Sequence, residues 1–178
     1  MKRRNLILVG TGAAAGAAGL GWQAWRQSRA PGRASAHADN TAAGLWEMIF
    51  PTPDGGTLAM ASLRGRPLLL NFWGTWCPPC VKEMPELDRF ALEFAPKGWR
   101  VLGLAVDNLQ PVQAYLARSP VSYAIGLAGF EGTELAKHLG NDPPGLPFTV
   151  ALDRRGEVVR RKGGATTLEA LRLWTENL

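Results

Sequence analysis

Continuous apolar runs alternate along the chain with amphipathic stretches, which predicts strands that alternate with helices. Because the runs contain almost no polar residues, they predict strands covered on both faces of a sheet. They lie at residues 68–73, 101–106 and 149–152, with a shorter run at Val158 and Val159. Apolar residues spaced by threes and fours predict helices at residues 78–94, 112–117 and 134–139. A last helix is predicted to begin at a capping box formed by Thr166 and Glu169. The pattern predicts an α/β fold in which helices flank a central sheet.

A short hairpin is predicted ahead of the first buried strand. Residues 45–61 alternate between apolar and polar positions on either side of Pro53-Asp54-Gly55-Gly56. Alternation around such a cluster of turn residues is typical of two antiparallel strands.

The N-terminal residues have the features of an export signal or of a membrane anchor. Lys2, Arg3 and Arg4 precede an uncharged stretch at residues 5–25, which is long enough to span a bilayer. An uncleaved anchor, a signal peptide cleaved near Ala36-His37-Ala38 and an ordinary buried helix remain as alternatives. We expect an anchor or signal over residues 1–26, a flexible linker over 27–44 and a folded domain over 45–178.

The positive charge of the chain belongs to its N-terminal part. The net charge is +5, and residues 1–39 carry all of it. The remaining residues hold equal numbers of basic and acidic side chains, so the predicted domain is neutral. We therefore expect no binding to nucleic acid.

Cys77 and Cys80, the only cysteines, lie where a predicted strand ends and a helix begins. Pro78 and Pro79 fit the first helical turn, where N–H groups have no intrahelical acceptor. A helix N-terminus stabilises a thiolate, so we expect Cys77 to be half-exposed with a lowered pKa. Cys80, one turn further in, should be more buried. The placement predicts that Cys77 attacks a partner disulfide and that Cys80 resolves the mixed disulfide.

Two other uses of the cysteines are disfavoured. A zinc site needs two more ligands, and the only histidines are His37 and His138. A purely structural disulfide that closes so short a loop gains little chain entropy. Redox activity is the favoured interpretation.

The segment Leu70-Asn71-Phe72-Trp73-Gly74-Thr75-Trp76-Cys77-Pro78-Pro79-Cys80 resembles the active site of the thioredoxin superfamily. The continuation Val81-Lys82-Glu83-Met84-Pro85-Glu86-Leu87 is similar to that of the membrane-tethered, extracytoplasmic TlpA/ResA-like thiol–disulfide oxidoreductases. The resemblance implies a thioredoxin-like fold with a central mixed β-sheet flanked by helices, an N-terminal β-hairpin and a strand–helix insertion at about residues 107–139.

The same resemblance implies several site residues. Gly145-Leu146-Pro147-Phe148-Thr149 matches the family's cis-proline loop, which implies a cis Leu146–Pro147 bond beside the cysteines. The backbone of Leu146 would then be free to pair with a substrate strand. The residues expected to contact substrate are Trp76, Pro78, Pro79 and Leu146, and Pro147 joins the two cysteines in the catalytic set.

Proton transfer has one candidate, Glu83. The family's buried acid before the first cysteine is replaced by Asn71, which cannot titrate. Glu83 lies one helical turn after Cys80, where a buried carboxylate could accept the Cys80 proton. A solvated helix glutamate is the alternative. Asp107 and Trp73 are expected to be structural, and His138 is expected at the surface.

Taken together, these features predict an extracytoplasmic reductase of disulfides in specific client proteins. The resemblance suggests cytochrome c maturation or copper-site assembly, a membrane-bound thiol donor, and a location on the periplasmic side of the bacterial inner membrane, or in the periplasm if the signal is cleaved. We expect no metal and no cofactor besides the Cys77–Cys80 disulfide. A peroxide reductase that uses Thr75 and a copper carrier that uses the two thiolates are the alternatives.

Overall fold

The computed structural model describes residue 42 and residues 44–175. The strands are β1 (Ile49–Pro51), β2 (Thr57–Ala59), β3 (Leu68–Trp73), β4 (Arg100–Ala105), β5 (Ala124–Leu127), β6 (Phe148–Leu152) and β7 (Val158–Gly163). The helices are α1 (Pro78–Phe94), α2 (Leu109–Arg118), α3 (Gly132–His138) and α4 (Leu168–Thr175). None of these helices is long and apolar enough to cross a membrane. The predicted anchor or signal at residues 1–26 lies outside the described residues.

Five strands form the central mixed sheet that the resemblance implied, and the structure gives their order as β5-β4-β3-β6-β7. Strands β3, β4 and β5 are parallel, whereas β6 and β7 are antiparallel to their neighbours. Strands β1 and β2 form a separate antiparallel hairpin. The parallel strands end at the edge of the sheet where β3 leads into α1, so the loops at this edge surround the start of that helix.

Strand β3 is the centre of the core, and all six of its residues are buried. Its odd and even positions face opposite sides of the sheet, as the pleat requires. Leu68, Leu70 and Phe72 pack into an apolar cluster with the hairpin and α3. Leu69 and Trp73 pack into a second cluster with α1, α2 and α4. The continuous apolar run in the sequence reflects this two-sided burial.

Helix α1 begins and ends where the spacing predicts. Cys77 is its N-cap and Pro78 occupies its first helical position, where no N–H is needed. One face of the helix is buried against the sheet, and it carries Cys80, Glu83, Met84, Leu87, Phe90 and Phe94. Phe90 stacks on Phe94 and meets the edge of Trp99, with ring centroids 4.5 and 5.5 Å apart.

The predicted capping box of the last helix is wrong by one residue. The Ala170 N–H donates to the hydroxyl of Thr167, so Thr167 is the capping side chain. The hydroxyl of Thr166 is buried without a hydrogen-bond partner in the described chain. The backbone N–H of Thr166 instead donates to Glu83. A tertiary contact therefore holds the residue that the local pattern assigned as the cap.

Two strand lengths differ from the prediction. The hairpin strands are only three residues each, and Trp46 lies in a 3-10 turn ahead of them. Strand β7 is longer than Val158 and Val159, because it continues through Arg160, Arg161 and Lys162. These charged residues hid the strand in the sequence, yet they suit a sheet edge that faces solvent.

Shortening Phe90 to alanine tests the cluster beneath α1. Because Phe90 is fully buried between Phe94 and Trp99, Phe90→Ala should lower the free energy of unfolding by about 3–5 kcal/mol. Leu92→Ala is the matched control, since Leu92 lies on the same helix and is 62% exposed; it should change stability by less than about 0.5 kcal/mol. Urea unfolding measures both, and equal losses would contradict this packing.

Candidate active site

Cys77 and Cys80 form a disulfide at the start of α1. Cys80 is fully buried and Cys77 is 5% exposed, so the predicted half-exposure of Cys77 is wrong for this oxidised form. Both cysteines belong to the apolar cluster beneath α1. The expected order is nevertheless kept, because Cys77 occupies the N-cap and Cys80 lies one turn inside.

The two prolines leave a single free donor at the helix start. Pro78 and Pro79 have no N–H, and the Val81 N–H donates to the Cys77 carbonyl at 3.2 Å. An N-cap side chain accepts from the second or third helical residue. Here the second is Pro79, so only the Cys80 N–H can stabilise a Cys77 thiolate in the reduced protein. The helix dipole adds to that stabilisation.

The loop that precedes β6 has the expected form. The Leu146–Pro147 peptide bond is cis, and a second cis bond, Asp142–Pro143, was not predicted. Pro147 is buried and its carbonyl accepts from the Gly164 N–H at 2.8 Å. The side chain of Leu146 packs against the cluster that contains both cysteines. Within residues 44–175 the backbone of Leu146 has no backbone hydrogen-bond partner. A groove of about 530 Å³ runs along this loop.

The exposed residues next to Cys77 form a surface that a partner can reach. Trp76 is 56% exposed, and Pro78 and Pro79 are also exposed. The indole Nε1 of Trp76 donates to the Val106 carbonyl at 3.0 Å, which fixes the ring. A Cβ atom at Gly74 would lie 2.7 Å from the indole Nε1 of Trp76, so a side chain there would displace the ring. We call Trp76, Pro78 and Pro79 the exposed rim.

Glu83 is buried, at 2% exposure, so the alternative of a solvated glutamate is wrong. Its Oε1 accepts from Asn71 Nδ2 at 2.8 Å, and its Oε2 accepts from the Thr166 N–H at 2.7 Å. Burial raises the pKa of Glu83 from 4.5 to about 7. The two hydrogen bonds and the positive charge of Lys162 lower it, but by less than burial raises it. The carboxyl group can therefore exchange a proton near neutral pH.

Asn71 links Glu83 to the sheet. Its Nδ2 also donates to the Thr149 hydroxyl at 3.0 Å, across the β3–β6 pair. Its Oδ1 is buried and has no partner in the described chain. Asn71 thus holds Glu83 by one hydrogen bond without adding a second negative charge.

The other residues considered in the sequence lie where expected. Asp107 is buried and accepts from the backbone N–H and the hydroxyl of Thr75 at 2.8 and 2.6 Å, so it braces the loop before Cys77. Trp73 is fully buried in the core, and His138 is exposed on α3. Within residues 44–175 no three His, Cys, Asp or Glu side chains are grouped so as to hold a metal.

Three residues around Glu83 were not predicted as part of the site. Thr149 and Thr166 are hydrogen-bonded into its network, and Lys162 affects its charge. They come from β6, from the loop before α4 and from β7. No local pattern marks them, because only the pairing of distant strands brings them to the active-site helix.

A central mixed sheet, a Cys-x-x-Cys pair at a helix N-terminus and a facing cis-proline loop define the class of thioredoxin-fold proteins with a redox-active dithiol. The Redoxin family model matches residues 37–172, and the chain belongs to that family.

The chain is also similar to named thiol–disulfide oxidoreductases. The chain is 29% identical over 119 residues to the thiol-disulfide oxidoreductase ResA of Bacillus thuringiensis subsp. konkukian, with 66% of each chain covered. It is 32% identical to ResA of Halalkalibacterium halodurans, over 64% of this chain and 63% of the relative. The matches thus span just under two thirds of these relatives' lengths. StoA from Bacillus subtilis aligns with a TM-score of 0.60 and 25% identity, covering 72% of this chain and 96% of StoA.

The buried Glu83 should make stability depend on pH. Its folded pKa, about 7, exceeds the ordinary 4.5, so the folded protein holds a proton that the unfolded chain releases. The contribution is complete below pH 4.5 and is lost as the pH rises through 7, by about 3 kcal/mol in total.

Glu83→Gln removes this titration. The unfolding free energy of the wild type, minus that of Glu83→Gln, should fall by about 3 kcal/mol between pH 4 and pH 8. Urea unfolding of the oxidised proteins at several pH values measures the difference. Parallel curves for the two proteins would show that Glu83 is not neutral in the folded state.

Proposed function

We propose that the protein is an extracytoplasmic thiol–disulfide oxidoreductase that reduces disulfides in specific client proteins. The observation that carries the proposal is the unequal placement of the two sulfur atoms. Cys77 is the helix N-cap beside the exposed rim, whereas Cys80 is fully buried and lies one turn from the buried Glu83. This arrangement separates the attacking thiol from the resolving thiol.

The first step joins the protein to its client. The Cys77 thiolate, stabilised by the Cys80 N–H and the helix dipole, attacks one sulfur of the client disulfide. The client S–S bond breaks, and a mixed disulfide forms between Cys77 and the client. The other client sulfur leaves as a thiolate and takes a proton from water.

The second step releases the client. The Cys80 thiol gives its proton to Glu83, and the Cys80 sulfur attacks Cys77 Sγ. The mixed disulfide breaks, the second client sulfur leaves as a thiolate, and the Cys77–Cys80 disulfide forms. Two electrons have then passed from the protein to the client. A thiol donor, which we place in the membrane, returns two electrons to the Cys77–Cys80 pair.

The loop at Leu146 supports the binding of an extended client segment. Its backbone has no backbone partner within the described residues, and it packs on the same cluster as the cysteines. An extended segment that pairs with this backbone would present its disulfide to Cys77, with side chains against the exposed rim. Trp76, Pro78, Pro79 and Leu146 are the proposed contacts, and Pro147 shapes the loop.

The peroxide-reductase alternative is not favoured. It would use the Thr75 hydroxyl, which already donates a hydrogen bond to Asp107 at 2.6 Å.

The similarity to ResA supports a role in a pathway that needs reduced client cysteines, and we propose cytochrome c maturation or copper-site assembly. The cysteine pair accounts for the chemistry, so the proposal requires no further cofactor and no metal.

The different roles of the cysteines can be tested by trapping. Cys80→Ser keeps the attacking thiol and loses the resolving one, so it should accumulate a mixed disulfide with a disulfide-bonded client. Cys77→Ser should accumulate none, because a buried Cys80 cannot reach the client. Non-reducing electrophoresis of the two variants after incubation with an oxidised model peptide makes the comparison. Trapping by Cys77→Ser alone would reverse the roles.

The proposed location can be tested with a reporter that is active only outside the cytoplasm. Such a reporter fused after Leu178 should be active in a bacterial host, because residues 1–26 would export or anchor the domain. The control fusion lacks residues 1–26 and should be inactive. Activity of both fusions, or of neither, would contradict the assignment.

A further inference from the structure

A row of three side chains crosses the sheet beside the active-site helix. Asn71 on β3 pairs with Thr149 on β6, and Thr149 pairs with Lys162 on β7. Directly paired residues on neighbouring strands lie on the same face of a sheet. Asn71 and Thr149 are hydrogen-bonded to each other on the α1 face, and Asn71 also binds Glu83. Lys162 therefore stands on the Glu83 side of the sheet.

The neighbours of Lys162 on β7 are directed elsewhere. Arg161, the next residue, lies on the opposite face, where its Nε donates to the Leu139 carbonyl at 2.7 Å. Arg160 shares the Lys162 face but pairs with Ala151, one step further from Asn71. Lys162 is half-buried and forms no ion pair within residues 44–175. The positive charge of Lys162 thus lies on the Glu83 side of the sheet, and no ion pair within these residues neutralises it.

We propose that Lys162 is a positioning residue for proton transfer, whose ammonium charge favours the ionised, proton-accepting form of Glu83 during resolution of the mixed disulfide. This inference rests on the proposed function, because it assigns Lys162 a role through Glu83 and not through contact with the client.

Other groups near Glu83 do not supply a comparable positive charge. On α1, Lys82 is exposed, and Glu86 is paired with Arg89 and accepts from the Leu168 N–H. A second negative charge at Glu86 would oppose ionisation of Glu83. The positive charge that acts on Glu83 is that of Lys162.

The remaining elements around Glu83 contribute neutral groups or distant charges. From the strand side, the phenol of Tyr123 is buried, and burial raises its pKa, so it stays neutral. The segment before α4 offers the Thr166 N–H, and Glu169 on α4 is exposed. Asn71 and Thr149 complete the surroundings without charge. Lys162 is therefore the group whose removal should change the proton affinity of Glu83.

The size of the effect follows from distance and exposure. Two strand spacings separate β3 from β7, which is roughly 10 Å. A unit charge at that distance, in a partly solvated site, shifts a titration by about 0.5–1 pH unit. Because the Glu83 titration lies near neutral pH, such a shift lowers the ionised fraction at pH 7 about two- to fivefold.

The experiment compares five full-length proteins: wild type, Lys162→Met, Lys162→Gln, Lys162→Arg and Arg160→Met. The carboxyl carbon of Glu83, assigned by its loss in Glu83→Gln, is titrated by NMR in ¹³C-glutamate-labelled protein. Lys162→Met should raise the midpoint by about 0.5–1 pH unit. Lys162→Arg keeps the charge and should match the wild type. Arg160→Met removes a charge from the same strand and face, one pair further away, and should also match it. Lys162→Gln is a second neutral variant and should behave as Lys162→Met does.

A second readout links the charge to the reaction. The Cys77 mixed disulfide with a small thiol is prepared, and the rate of its resolution is followed against pH. For Lys162→Met the rate should be about two- to fivefold lower at pH 7 and equal to that of the wild type at high pH, where Glu83 is ionised in both.

The outcomes separate the two proposals. An unchanged Glu83 midpoint in both Lys162→Met and Lys162→Gln overturns the role of Lys162, whatever the activity. A raised Glu83 midpoint without a change in the pH dependence of the resolution rate also overturns the role of Lys162. In that case Glu83 would not be the proton acceptor. If the wild type resolves no mixed disulfide at all, the proposed function fails, while the NMR titration still reports whether Lys162 acts on Glu83.

Discussion

The rest of the site depends on the burial of one carboxyl group. Glu83 is enclosed between α1, β3 and the loop before α4, and its two oxygens accept from Asn71 and from the Thr166 N–H. Without these hydrogen bonds, burial of the ionised carboxylate would cost too much free energy. With many more of them, its pKa would fall so far that it would not hold a proton near neutral pH. The balance between burial and these hydrogen bonds brings the pKa of Glu83 to about 7. The same hydrogen bonds connect the active-site helix to the sheet and to the segment that leads into α4.

The helix start is adapted to one thiolate. Pro78 and Pro79 fit the first turn but remove two of the donors that a helix N-terminus normally offers. The Cys80 N–H remains, so the cysteine that we propose as the resolving thiol also supplies the amide that can stabilise a Cys77 thiolate. Cys77 has low exposure in the disulfide form, and the exposed rim beside it includes Trp76, whose indole N–H donates to the Val106 carbonyl. The proposed thiol donor would therefore approach past this rim. The reactivity of Cys77 and the access of a partner to it therefore depend on the same short segment, which contains Trp76, Pro78 and Pro79.

Charge acts within the domain through individual residues and not through a net charge. The domain has no net charge, and the excess of positive charge lies in residues 1–39. The basic residues of β7 cover a sheet edge, which protects it from pairing with other chains. Alternation along that strand sends Arg161 to the α3 side and Lys162 to the α1 side. A strand that protects the edge can thus also place one charge on the same side of the sheet as a buried acid.

By itself the sequence determined the elements whose cause is local. The apolar run of β3, the helical spacing of α1 and the two cysteines at their junction are short-range patterns, and the resemblance around them identified the fold and the cis-proline loop. The surroundings of Glu83 depend on the tertiary structure, because strand pairing and helix packing bring Thr149, Thr166 and Lys162 toward it from distant parts of the chain. It also moved the cap of α4 from Thr166 to Thr167, since the Thr166 N–H is bound by Glu83. Long-range hydrogen bonds overrode the local capping pattern because a buried carboxylate must be satisfied, whereas a neighbouring threonine can cap the helix equally well.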